Sequence, residues 1–127
     1  MINFTKMVAT GNDFILIDNR CLYLASRISY LVRKLCDRRG GIGADGLLLL
    51  QKSRVADFKM RIFNPDGSEA EMCGNGSRCI ALYAKMKNIA PAHMKIETKA
   101  GILSAAVGKS GVKINMTTEK YKAWHRY

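Results

Sequence analysis

From Gly76 to about Lys87 the chain reads as a helix that is apolar nearly all round, and this stretch constrains the fold more than any other. Cys79, Leu82, Tyr83 and Met86 fall on one stripe, with Ile80 and Ala84 flanking it. A helix of this kind has to be enclosed by other elements. The segment that leads into it, Met72-Cys73-Gly74-Asn75-Gly76-Ser77-Arg78-Cys79, follows a turn-forming run, Asn64-Pro65-Asp66-Gly67-Ser68. Cys73 therefore stands just before a helix start. Unpaired N–H groups and a partial positive charge at such a start lower a nearby thiol's pKa and can hold a carboxylate. Glycines at 74 and 76 allow a ligand to approach the main chain where a Cβ would obstruct it.

The remaining elements are short. Phe4 to Met7 and Phe14 to Ile17 are β-rich runs separated by the loop cluster Ala9-Thr10-Gly11-Asn12-Asp13. Ser26 is a plausible N-cap for a helix to about Cys36, with Ile28, Leu31, Val32 and Leu35 on one face, ended by Gly40-Gly41. Strands are expected at 47–50, 58–63, 94–98, 102–107 and 112–116, the last two joined as a hairpin. Helices do not alternate regularly with strands, which argues against a doubly wound parallel sheet. The expectation is one α+β domain over residues 1–127, with a mostly antiparallel, curved sheet wrapped around the second helix.

Composition excludes several classes. At 127 residues and 48% hydrophobic content the chain suits one ordered domain. It has no run of about 18 apolar residues that would span a membrane. Its start, Met-Ile-Asn-Phe-Thr-Lys-Met, reads as strand-like and not as a signal peptide, and its four cysteines lack paired spacing. Reduced thiols and a cytoplasmic setting are the expectation. The net charge of +11 comes from scattered Lys and Arg, interrupted by acids such as Asp37 and Glu119, with no nucleic-acid module. A solvated surface accounts for it. His93 and His125 are isolated and no Cys-x-x-Cys exists, so no metal site is expected.

Individual motifs have bland readings too. Gly41-Ile42-Gly43-Ala44-Asp45-Gly46 matches a dinucleotide fingerprint literally, but a helix precedes it and a strand follows, the reverse of that motif's context. Asn64-Pro65-Asp66-Gly67 alone is an ordinary type I turn, and Gly11-Asn12-Asp13 alone a loop. Cys79, on the apolar stripe, reads as core.

Taken together, Lys6-Met7, Gly11-Asn12-Asp13-Phe14, Gly41 to Gly46, Arg61 to Ser68 and Cys73 to Cys79 resemble diaminopimelate epimerase, in that family's order and spacing and across nearly the whole chain. The resemblance implies cofactor-independent, metal-free inversion at the α-carbon of LL-diaminopimelate to the meso isomer, for lysine and peptidoglycan synthesis. Family members use two cysteines on opposite faces of the substrate. Cys73 matches the catalytic cysteine of the first half, Asn12 and Asn64 match substrate-binding asparagines, and Gly74 and Asn75 match the backbone that holds the reacting end. Some members carry Gln where this chain has Gly46, and many carry His where it has Val8. Full family enzymes have two similar halves with the site between them. The resemblance makes this chain the first half, ending near Trp124-His125-Arg126-Tyr127, with the opposing cysteine missing. Its expected partners are the amino-acid substrate and either the missing carboxy-terminal half or a second copy of itself. A non-catalytic binding or assembly domain of the same family, and a basic nucleic-acid-binding module, are the other readings left open.

Overall fold

The computed structural model describes residues 3–21 and 27–116. The expected Ser26 cap and the end of the chain lie outside them. The order of elements is β1 (Thr5–Ala9), β2 (Asn12–Asp18), α1 (Ile28–Cys36), β3 (Gly46–Gln51), β4 (Phe58–Phe63), β5 (Glu69–Ala70), α2 (Gly74–Met86), β6 (His93–Thr98), β7 (Gly101–Gly108) and β8 (Gly111–Met116).

All the strands belong to one curled sheet in the order β1-β2-β3-β4-β6-β7-β8, with β5 paired to β4. Tight turns join β1 to β2 and β7 to β8 as antiparallel pairs. The sheet as a whole is mixed, because β2–β3 and β4–β6 are parallel. Each parallel pair spans a helix in the chain, α1 for the first and α2 for the second, since a parallel neighbour needs a crossover that a hairpin turn cannot provide. Strand runs in the sequence carry no direction, so the two parallel pairings are not legible from them.

The sheet separates two apolar layers. Ile15, Ile17, Leu47, Leu49 and Phe63 pack with Ile28, Val32 and Cys36 of α1. Phe14, Leu16, Leu48, Leu50, Met60, Ile62 and Ile96 pack with Cys79, Ile80, Ala81 and Ala84 of α2. Alternation of side chains along a strand sends neighbouring residues to opposite faces. That is why the four leucines at 47–50 are all fully buried.

α2 corrects the expectation about its buried side. It lies against β1, β2, β3, β4, β7 and β8, yet its buried positions are Ser77, Ile80, Ala81 and Ala84, a face at i, i+3, i+4 and i+7, with Gly76 and Cys79 beside it. Leu82 is 38% exposed and Met86 65%. Small residues win the inner face because the helix sits close to the sheet: a Cβ on Gly76 would come within 3.0 Å of Leu48 Cδ2. Hydrophobicity alone selects the larger side chains of the neighbouring stripe. Among the described residues no helix is long and apolar enough to cross a membrane.

Candidate functional site

Cys73 is itself the N-cap of α2. Its backbone is extended (φ −149°, ψ 122°), and its sulfur accepts the N–H of Gly76 at 3.4 Å. The Cys73 carbonyl accepts from the Ser77 N–H at 2.9 Å and from Ser77 Oγ at 2.8 Å. The helix therefore begins at Gly74, two residues before the expected start. Gly74 and Asn75 fall in its first turn, whose N–H groups have no intrahelical acceptors.

The chain reaches Cys73 through a braced return. Arg61 grips Glu69 with two bonds of 3.0 and 2.9 Å, and Lys99 lies 3.5 Å from the same carboxylate. The Arg61 guanidinium holds the Glu69 carboxyl below its usual 4.5, against an opposing effect of burial. Before it, the turn at Asn64 closes through Gly67 N–H to Asn64 O (2.9 Å) and Asn64 N–H to Ser68 O (2.8 Å). Ser29 Oγ of α1 donates to Gly67 O at 2.9 Å and pins the turn from behind.

On the other side stands the β1–β2 turn, with Thr10 and Gly11 both at positive φ. Asn12 accepts a 2.6 Å bond from Asn75 Nδ2 and donates to Asp45 Oδ2 at 3.3 Å. Asp45 and Asp13 are cross-linked: the Asp13 N–H donates to Asp45 Oδ2, and the Asp45 N–H to the Asp13 carbonyl and carboxylate. Arg38 spans both carboxylates, and Lys6 adds an ion pair of 3.1 Å to Asp13. Arg38 foremost, with Lys6 and the Asp45 N–H, holds the Asp13 carboxyl far below its usual 3.8 despite the opposing cost of burial.

Between these parts lies a hollow of about 280 Å³, lined by Asn12, Asp45, Asn64 and Cys73 on an apolar floor that includes Phe14 and Phe63. Gly46 is part of its wall. Two larger hollows lie elsewhere, one beside Asp18, Arg20 and Tyr83 (about 410 Å³) and one beside Asp57 and His93 (about 430 Å³). Neither touches the Cys73 segment; the first of them also has a thiol and an amide, Cys21 and Asn3, but the smaller hollow alone is lined by the helix-capping thiol, together with Asn12 and Asn64. Asn12, Asn64 and Cys73, chosen from sequence, thus line one space, with Asn75 bonded to its edge. Val8 is 68% exposed on β1.

Sequence reasoning passed over Asp13, Asp45 and Arg38. The signal available was an aspartate in each of two glycine-containing loops, at Gly11-Asn12-Asp13 and Gly43-Ala44-Asp45, with a basic pair at Arg38-Arg39.

A family model for diaminopimelate epimerase matches residues 4–124. The chain is 50% identical over 103 residues to a diaminopimelate epimerase of Desulforudis audaxviator, covering 80% of this chain and 37% of that protein. To that of Caldanaerobacter subterraneus it is 54% identical over 105 residues (80% and 36%), and to that of Halothermothrix orenii 47% over 130 (96% and 45%). The chain thus spans about two fifths of the length of these curated relatives. Among solved structures, the fold is similar to that of a methylitaconate-delta-isomerase (TM-score 0.69, 17% identity, covering 88% of this chain and 36% of that one). It is also similar to a probable proline racemase from Agrobacterium radiobacter (TM-score 0.66, 18% identity, 91% and 42%).

Proposed function

The chain belongs to the diaminopimelate epimerase family, a family of isomerases, and from that premise we propose that residues 1–127 are the amino-terminal domain of such an enzyme and carry one face of its site. Cys73, as thiolate, removes the α-proton of diaminopimelate: the C–H bond breaks and an S–H bond forms. A second thiol, on the part of the protein that this chain does not include, delivers its proton to the opposite face of the α-carbon. A positioned proton-transfer group of this kind contributes typically 10²–10⁴-fold. Asn12 and Asn64 bind the substrate's polar groups, and the Gly74 and Asn75 N–H groups hold its reacting end, where negative charge develops. No metal or cofactor takes part. The site is completed when the remaining half closes over α2 and the mostly antiparallel, curved sheet around it.

The observation that carries this reading is the meeting of Cys73, Asn12 and Asn64 around one hollow. Cys79 does not serve as the opposing thiol, because it is buried on the same helix, under the sheet. The test is incubation with LL-diaminopimelate in D₂O. The chain alone is expected to form no meso isomer. Addition of the carboxy-terminal half of a relative is expected to yield meso product with deuterium at the α-carbon, abolished by Cys73→Ala. Ready turnover by the chain alone would overturn the half-site reading, and inertness of the recombined halves would overturn the epimerase reading.

A further inference from the structure

Hydrogen-bond polarity runs in one direction around the rim of the hollow. Asp45 bears a carboxylate that only accepts, paired with Arg38 Nη2 at 3.0 Å. The end of Asn12 that faces it, at 3.3 Å, must therefore be the amino end, Nδ2. That leaves Asn12 Oδ1 toward Asn75, so Asn75 presents its own Nδ2, at 2.6 Å. Asn75 Oδ1 is then turned to Arg78 Nη1, 3.4 Å away, a group that only donates. An acceptor at one end and a donor at the other permit one orientation of both amides.

We propose that Asp45, held by Arg38, is a positioning residue that fixes the amides of Asn12 and Asn75 so that each keeps one N–H free for a carboxylate-bearing ligand beside Cys73. The ligand class rests on the function proposed above. Each Nδ2 has two hydrogens and spends one on the relay. The remaining N–H of each amide is a donor, which suits a carboxylate. Were Asp45 replaced by asparagine, one of its two ends would carry an NH₂ in place of an acceptor, and Arg38, the Asp13 N–H and Asn12 could no longer all donate to it.

The test uses the ¹⁵N-labelled chain, with the side-chain NH₂ signals of Asn12 and Asn75 assigned by their loss in Asn12→Asp and Asn75→Asp. Asp45→Asn is expected to move both pairs of signals and to weaken meso-diaminopimelate binding about tenfold, the size of one charge-linked hydrogen bond. Asp45→Glu is expected to recover part of that loss, and Arg38→Lys to shift the same signals from the far side of Asp45. Circular dichroism confirms that each variant is folded. Folded Asp45→Asn with unmoved amide signals, or with moved signals and unchanged affinity, would overturn the proposal. If the chain binds glutarate with this Asp45 dependence but not diaminopimelate, the positioning role stands and the substrate reading falls.

Discussion

The sulfur of Cys73 caps the helix that it precedes, accepting the Gly76 N–H at 3.4 Å. The Cys73 thiol is half-buried, while Cys36 and Cys79 are 2% and 3% exposed. Burial pushes the Cys36 and Cys79 thiols up, away from ionisation at neutral pH. Iodoacetamide labelling read by mass spectrometry is expected to modify Cys73 and the exposed Cys21 first, with the other two lagging by about tenfold or more. Labelling of Cys79 ahead of Cys73 would sink the assignment of Cys73 as the reactive thiol.

The inner face of α2 sets a second expectation. Ile80 is fully buried against the sheet, so Ile80→Ala should cost roughly 2–5 kcal/mol. Leu82, on the open side, should cost less than about 1 kcal/mol when cut to alanine. Urea midpoints of the two variants distinguish these values. A larger loss for Leu82→Ala would mean that the helix is rotated from the orientation described.

Gly46 offers a third. A Cβ there would stand 3.0 Å from the Phe63 carbonyl oxygen and 3.3 Å from the Phe14 ring. Gly46→Gln is therefore expected to lower stability by about 1–3 kcal/mol through overpacking. Thermal unfolding that is unchanged in this variant would show that β3 and β4 can part without cost.

Acid should act through Asp13. Its carboxyl is held well below 3.8 in the folded chain, chiefly by Arg38. A depressed folded value contributes stability above the unfolded pKa, lost as pH falls toward the folded value. Urea midpoints should thus fall from about pH 4 downward. Asp13→Asn should be less stable at neutral pH and show a flatter acid limb. If the variant keeps the wild-type slope, other carboxylates, such as Glu69 with Arg61, dominate the acid response.

Most element positions were legible because they rest on local patterns. The strand expected at 58–63 is β4 to the residue, and the run before Gly108-Lys109-Ser110-Gly111 does form a hairpin with the one after it. β5, two residues long, is too short for any periodicity to reveal. The two parallel pairings depend on crossovers, and the inner face of α2 depends on how closely it approaches β3. Both are properties of packing rather than of pattern. In the site, Cys73 was found through its place before a helix start, and Asn12 and Asn64 through the resemblance to the family. The charges behind them were missed because Arg38 and Asp45 each look like ordinary surface residues until the chain brings them together.

The four leucines of β3 carry a further consequence. Leu47 and Leu49 belong to one apolar layer, Leu48 and Leu50 to the other. A slip of one residue would exchange the layers without changing a single side chain's hydrophobicity, so the run cannot encode its own alignment. What does encode it stands at the strand's entrance, where the Asp45 N–H reaches Asp13 and Gly46 faces Phe14 across the ladder. Those two contacts act as the index mark for β3 against β2. The rim of the hollow and the alignment of β2 with β3 thus draw on the same two residues, Asp13 and Asp45.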